Sequence, residues 1–217
     1  MGKQMNAPTK QRLMTAGITA ALAVAFVWTG FARYSVTRRD AALQWRVGEV
    51  LAEQSVRLLG KDGRIVGIAM DTRDRPQLNM QLEAFKAALR RLGDFELREC
   101  VLDSRDCVSG TGLSGESYVC IVKQYQNADV FVSFIGIPKL TREDIAELDG
   151  KPRLVAESSS AENLSALFEN QLIEVAVVPR FEFPTHRSTP QHTPQDRFTE
   201  RFEIVTADLA ILPPKPK

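Results

Sequence analysis

The sequence has few of the residues from which reactive or metal sites are built. It contains three cysteines and two histidines among 217 residues. Cys100, Cys107 and Cys120 do not show the paired spacing of a zinc site, and His186 and His192 lie in a polar, proline-rich tail. No serine stands in a G-x-S-x-G elbow, so no Ser/His/Asp set is indicated. We therefore predict no metal site, no cofactor and no enzyme activity.

An excess of charge of either sign is also lacking. The 28 basic residues are matched by 27 acidic ones, which leaves a net charge of +1. A nucleic-acid-binding protein would be expected to carry a strongly basic face, so nucleic acid is excluded as the main partner. The remaining composition, 44% hydrophobic and 25% charged, is that of one medium globular domain with appendages.

One long uncharged stretch lies near the N-terminus, over residues 13–32. As a helix it would extend about 30 Å, the thickness of a bilayer core. A cleaved signal peptide is the alternative, since Gly30 and Ala32 offer small residues near its end. The stretch is longer than a usual signal core, so we favour an uncleaved transmembrane anchor.

Basic residues flank both ends of this stretch almost equally, so the positive-inside rule does not decide the orientation. We expect a single-pass protein of the bacterial inner membrane with its C-terminal domain outside the cytoplasm. An exported domain would allow a disulfide between Cys100 and Cys107, with Cys120 buried on a helix face.

The chain after this stretch divides into a helix, an α/β region and a tail. Strands are predicted where apolar runs alternate with helical patterns, over 65–70, 96–102, 130–137, 153–156 and 173–178. This alternation predicts a single Rossmann-like α/β domain with a mainly parallel, roughly five-stranded sheet. The predicted segments are an N-terminal tail over 1–12, the anchor over 13–32, a juxtamembrane helix over 37–60, the α/β domain over 64–179 and a proline-rich C-terminal segment over 180–217.

For two of these segments, the sequence allows more than one way of packing. The helix over 37–60 carries an apolar stripe that suits a stalk, a weak coiled coil or a first helix packed on the domain. Residues 201–207, "RFEIVTA", have strand character within the proline-rich segment. They would add an edge strand to the sheet or clamp the domain surface.

The order of elements resembles one lobe of the type I periplasmic binding proteins and the related sugar-responsive repressors. Phe85 to Leu89, followed by Gly93, fits the F-x-x-(A/G)-L-x-x-x-G pattern of that family's first helix, and "NADVFVSF" over 127–134 fits its third strand. Those proteins bind ligands between two such lobes, whereas this chain has one. The resemblance therefore implies a cleft completed by a second copy or by another partner.

Ligands of open parallel sheets bind beyond the carboxyl ends of the strands. Asp71 directly follows the first strand, where it would serve catalysis or, as we favour, cap the turn and helix. "GTGLSG" over 110–115 matches G-x-G-x-x-G but does not directly follow a strand, so an anion held by helix-start amides is favoured over a nucleotide. The residues expected to border a ligand at this edge are Asp71, Arg73, Asp74, Thr111, Gly112, Ser114 and Gly136.

These observations favour a membrane-anchored, non-catalytic binding or assembly module of the cell envelope. Its expected partners are the membrane and either other proteins or further copies of itself. The alternative is a small-ligand sensor that works like one binding-protein lobe. An enzyme that uses Asp71 is the third hypothesis, and it has the least support because no second acid follows the neighbouring strands.

Overall fold

The computed structural model of the chain describes residues 40–71, 75–103, 107–108, 112–148, 152–158, 164–180 and 193–207. The predicted tail and anchor over 1–32 lie outside the described residues, as do Arg73, Asp74, Thr111 and both histidines. Among the helices of the described part of the chain, none combines the length and the apolar composition needed to cross a membrane.

Helices and strands alternate through most of the described chain. The strands are β1 (Asp62–Met70), β2 (Asp94–Leu102), β3 (Cys107–Val108), β4 (Gly112–Leu113), β5 (Val130–Ser133), β6 (Leu154–Glu157), β7 (Val175–Pro179) and β8 (Phe202–Thr206). The helices are α1, which covers the described residues 40–59, then α2 (Pro76–Leu92), α3 (Gly115–Gln124), α4 (Arg142–Glu147), α5 (Leu164–Glu169) and α6 (Pro194–Arg201).

Six of the strands form one sheet in the order β2-β1-β5-β6-β7-β8, and β3 pairs with β4 in a separate small ladder. All neighbours in the large sheet are parallel except β7 and β8, which are antiparallel. The Rossmann-like, mainly parallel sheet is thereby confirmed, with one strand more than the five predicted from the apolar runs. That additional strand, β8, falls on the stretch 201–207.

The sheet is covered on both faces, as a parallel sheet must be when its strands are apolar throughout. Alternate residues of each strand join two separate core clusters: Ile65 and Val132 belong to one, Val66 and Phe131 to the other. The first cluster contains α1, α2 and Phe198 of α6. The second contains side chains of α3 and α5 together with residues next to α4.

Helix α1 belongs to the core of the domain. Leu43, Val47, Val50 and Leu51 from its apolar stripe are buried against the sheet and α2. Of the three interpretations of this helix, packing on the domain is therefore the one observed. The physical reason is that this apolar sheet face needs more cover than α2 gives, and buried side chains of α1 and Phe198 of α6 join the same cluster.

The closest approach of α1 to α2 occurs at Gly48. A Cβ at this position would clash with the carbonyl oxygen of Gln81 and would lie 2.9 Å from the Cβ of Ala84. A residue without a side chain is thus required for the two helices to approach this closely.

The C-terminal part of the described chain packs on the same face as α1. Phe198 of α6 is buried in the core and stacks on Phe202, with ring centroids 5.6 Å apart. Arg46 of α1 donates a hydrogen bond from Nε to Gln195 Oε1 of α6. Helix α6 and strand β8 therefore clamp the sheet and α1 together.

Three local features predicted from the sequence can be compared with the structure: one is confirmed and two are wrong. The spacing of Thr141 and Asp144 predicts a capping box at the start of a short helix. This prediction is confirmed at the start of α4, where both capping hydrogen bonds form. Gly93 follows the two arginines at the end of α2, and a glycine in this place predicts a left-handed cap. That prediction is wrong, because the backbone of Gly93 is extended, with φ 170°. Its lack of a side chain instead makes room for Phe95 and the Lys61 carbonyl oxygen. Cys120 is exposed rather than buried, because α3 turns Tyr118 and its neighbours towards the sheet.

The helix crossing predicts a contrast between two glycine substitutions. Gly48→Ala is expected to lower the free energy of unfolding by about 1–3 kcal/mol, because the added methyl group overpacks the contact with α2. Gly67→Ala, in β1, is the matched control: its Cβ would meet Leu97 and Phe134 at an ordinary 3.6 Å. We expect it to change stability by less than about 1 kcal/mol. Urea denaturation of both variants measures the change in the free energy of unfolding. Equal losses in the two variants would contradict the close contact of α1 with α2 at Gly48.

Candidate functional site

The order of strands places the candidate site at one edge of the sheet. The chain moves from β1 to one side, into β2, and then returns to the other side, into β5. Ligands of such sheets bind at the carboxyl ends of the strands near this reversal of order. Asp71 follows β1 at this edge, Phe134 and Gly136 follow β5, and Glu157 ends β6.

The glycines predicted at this edge hold two loops together. Gly112 has φ +104°, and Gly136 has φ +107°. A Cβ on Gly136 would lie 3.2 Å from the Cα of Gly112, and one on Gly112 would lie 3.1 Å from the carbonyl oxygen of Ile137. Lys139 N donates to Leu113 O at 3.0 Å between the same two segments. The literal G-x-G-x-x-G match thus includes a glycine whose role is close backbone packing.

Ser114 lies where the loop that contains Gly112 enters α3. It is the N-cap residue, and its Oγ accepts a hydrogen bond from Ser117 N at 3.1 Å. One of the helix-start amides is therefore already occupied by the protein itself.

Asp71 is exposed at the end of β1. The N-cap position of α2 belongs to Arg75, whose side chain makes no capping hydrogen bond, and the helix begins at Pro76. The capping role expected of Asp71 stays a prediction. Arg73, Asp74 and Thr111 lie outside the described residues. Asp71, Gly112, Ser114 and Gly136 are thus the predicted residues that the structure places, and all four lie at the carboxyl edge.

A polar cluster at the same edge escaped the sequence analysis. It joins Glu157 at the end of β6, Gln81 on α2 and Gln44 on α1. Gln81 Nε2 donates to Gln44 Oε1 at 2.6 Å, and the Gln81 side chain lies close enough to Glu157 to affect the pKa of its carboxyl group. Gln81 is only 4% exposed, yet its Oε1 has no hydrogen-bond partner among the described residues. The cluster therefore presents a buried acceptor beside a partly buried carboxyl group.

Burial changes the acid strength of Glu157. Removal of the carboxylate from water raises the pKa of Glu157 from 4.5 to about 7, although the neighbouring Gln81 side chain acts in the opposite direction. The group is thus close to half-ionised near neutral pH. It can accept hydrogen bonds as a carboxylate or donate one as a carboxylic acid.

The described acids of this edge lie too far apart to share a metal ion. Asp71 and Glu157 follow strands that are two positions apart in the sheet, about 10 Å at the usual spacing. Within the described residues, no group of three or more His, Cys, Asp or Glu side chains lies close enough to hold a metal ion.

A second concavity lies at the opposite, amino-terminal edge of the sheet. It has a volume of about 350 Å³ and is bordered by β1, β2 and the segment after α3. Its three cations are already paired with carboxylates: Arg64 with Asp129, Arg98 with Glu96, and Lys123 with Glu147. Because these pairs neutralise its charge, this concavity is a weaker candidate than the carboxyl edge.

One sequence signal could have identified Glu157. Like Asp71, it is the first acidic residue after a buried apolar run, "LVAE". Its partners could not have been found in this way, because Gln44 and Gln81 lie more than seventy residues away in the sequence.

The fold is that of one lobe of a periplasmic binding protein. An arabinose-binding protein from Geobacillus stearothermophilus is similar over 77% of this chain and 62% of its own, with 11% identity and a TM-score of 0.54. A sugar-binding protein of a sugar ABC transporter from Bacillus halodurans is similar over 77% and 63%, with 12% identity and a TM-score of 0.54.

A solute-binding protein from Burkholderia graminis, solved in complex with D-arabinose, is similar over 62% of this chain and 47% of its own, with 17% identity and a TM-score of 0.47. This chain therefore spans less than two thirds of each of these three structures. No protein-family model and no curated protein matches the sequence. At these identities the likeness concerns the fold alone.

The pKa of Glu157 predicts how stability depends on pH. The folded pKa is raised above the unfolded value, so ionisation of Glu157 opposes folding and its cost grows between pH 4.5 and about 7. Glu157→Gln removes this ionisation. Relative to wild type, we expect the variant to gain stability by up to about 3 kcal/mol as the pH rises through this window. Urea denaturation of both proteins at a series of pH values measures the difference.

The control is Glu169→Gln, at an exposed position of α5. It should not reproduce the pH-dependent gain in stability expected of Glu157→Gln. A Glu157→Gln difference that stays constant from pH 4.5 to pH 8 would contradict the buried environment of this carboxyl group.

Proposed function

We propose that this domain is a non-catalytic binding domain that takes a small polyhydroxylated ligand, of the sugar class, at the carboxyl edge of its sheet. The observation that carries the proposal is the buried Gln81 amide at that edge, which bonds Gln44 and keeps an unpartnered Oε1 among the described residues, next to Glu157. A fold of the binding-protein lobe type supports it, since the similar structures include proteins described as arabinose-binding and sugar-binding.

The chemistry of the cluster suits hydroxyl groups. A sugar hydroxyl both donates and accepts hydrogen bonds, and a carboxylate beside an amide provides acceptors and donors in one place. The unpartnered Oε1 of Gln81 is costly while it stays buried without a donor. A ligand hydroxyl that donates to this oxygen would remove that cost, and it would at the same time come within reach of Glu157.

The remaining edge residues would flank the ligand. Asp71 is exposed after β1, and Ser114 and Gly136 lie in the loops that pack together. The described residues form one lobe, so we propose that another molecule supplies the opposite wall of a closed cleft. This requirement joins the ligand-binding proposal to the expectation of protein partners.

We also propose that the domain lies outside the cytoplasm, held by an anchor over residues 13–32. The twenty-residue uncharged stretch and its length carry this part of the proposal. An envelope location would suit a sugar-class ligand that is captured before transport or sensing. Protease treatment of intact cells tests it: cleavage of the domain from outside the cytoplasmic membrane is expected, and protection contradicts it.

Ligand binding is tested by thermal unfolding with arabinose, xylose, galactose and glucose at millimolar concentration. A ligand at one hundred times its dissociation constant stabilises the folded state by about 2.7 kcal/mol. For a chain of this size that corresponds to a rise in melting temperature of roughly 5–10 °C. We expect at least one of these sugars to produce such a rise with the wild-type protein.

Variants at the cluster show whether the proposed residues hold the ligand. Gln81→Leu and Glu157→Ala should abolish the rise, whereas Glu169→Ala, at the exposed position on α5, should retain it. The melting temperature of each variant without sugar shows that it folds. An absence of any rise in the wild-type protein, or a rise that survives both cluster substitutions, would overturn the proposal.

A further inference from the structure

Strand β2 ends the sheet with a long open edge. It pairs with β1 along all of its nine residues, from Asp94 to Leu102. On its outer side, no strand of the described chain pairs with it. An edge of this length presents a row of backbone donors and acceptors that favours pairing with another strand.

The side chains of β2 divide between the two faces of the sheet. Phe95 and Leu97 pack against the cluster that contains α1 and α2, and Val101 on the same side is 57% exposed. On the opposite face, Glu96 and Arg98 are both exposed and form an ion pair of 2.9 Å. Two charges of opposite sign therefore stand next to each other on one face of the open edge.

Symmetry restricts how two copies of β2 can pair. In an antiparallel pair, two residues that face each other have their side chains on the same face of the sheet. When the two strands are related by a two-fold axis, the axis must therefore lie midway between one residue and its own copy. With the axis at Glu96, Arg98 or Glu99, that residue would face its own copy and like charges would meet. With the axis at Leu97, Glu96 of each copy faces Arg98 of the other.

We propose that β2 pairs with β2 of a second copy of this chain, antiparallel and centred on Leu97, so that the two sheets become continuous. The four charges then alternate in sign across the interface, and Leu97 faces its own copy on the side that packs against α1 and α2. Cross-strand pairs of opposite charge stabilise such a ladder, and like charges opposite one another destabilise it.

This dimer is independent of the proposed ligand site. The two-fold axis is perpendicular to the sheet, so the carboxyl edges of the two copies face in opposite directions and neither completes the cleft of the other. Loss of ligand binding and loss of dimerisation would therefore be separate results.

Charge reversal tests the register. Sedimentation velocity of the full chain in a mild detergent measures its dimer dissociation constant. Glu96→Arg and Arg98→Glu each place like charges opposite one another at two points and should weaken the dimer by about tenfold or more. The double variant E96R/R98E reverses both charges and should return the constant to within about threefold of wild type, because every cross-strand pair is restored.

Cross-linking tests the centre of the interface. Cysteines introduced at Leu97 would have Cα atoms roughly 5 Å apart across the axis, within reach of a disulfide. Cysteines at Val101, on the same face of β2, would be roughly 27 Å apart. Under mild oxidation, Leu97→Cys should form a disulfide-linked dimer well above the wild-type background, and Val101→Cys should not.

Three results would overturn the proposal. The first is that the single-reversal variants sediment like wild type. This result would also be seen if the chain associates through a different surface. The second is a double variant as weakened as the single ones. The third is equal cross-linking at positions 97 and 101. The thermal stability of each variant, expected to change little because the charges are exposed, shows that the fold is intact.

Discussion

The structure of this domain depends on covering both faces of a parallel sheet. Each strand contributes alternate residues to two separate clusters, so an uncovered face would expose a continuous apolar surface. The crossover helices α3, α4 and α5 lie on one face, and α2 alone lies on the other. Helix α1 completes that second face, and the absence of a side chain at Gly48 lets it approach α2 closely.

The same packing of helices on the sheet positions the residues of the candidate site. Helices α1 and α2 both reach the carboxyl edge of the sheet, which is why Gln44 and Gln81 meet there. Glu157, at the end of β6, lies on the face that these helices cover, so its carboxyl group is partly buried and its pKa is raised. A polar cluster at this edge is thus a consequence of the packing that stabilises the apolar sheet below it.

The two ends of the described chain share this packing. The α6–β8 clamp lies against α1 through Arg46 and Gln195, and Phe198 enters the same core cluster. At the far side of the sheet, β2 has no corresponding cover within the described residues. Among the described residues the sheet therefore ends in β2 on one side and in β8 on the other, and the proposed dimer uses the longer strand, β2.

Local patterns were sufficient to predict most of the sheet. Apolar runs such as Ile65–Met70 and Ile173–Val178 mark buried parallel strands because burial on both faces leaves no room for alternation. The short helix α4 was predicted from Thr141 and Asp144, whose capping hydrogen bonds are formed within four residues. Helix α6 was not predicted, because its residues are mostly polar and Phe198 alone is buried.

The sequence by itself determined the features that depend on residues close together along the chain. These are the alternation of strands and helices, the apolar stripe of α1 and the carboxyl edge at which Asp71 lies. Only the tertiary structure decided which surface α1 covers, and that Glu157 rather than Asp71 is the partly buried acid. The reason is physical. Burial of a polar group depends on Gln44, Gln81 and Glu157 meeting in space, and no local pattern contains that contact.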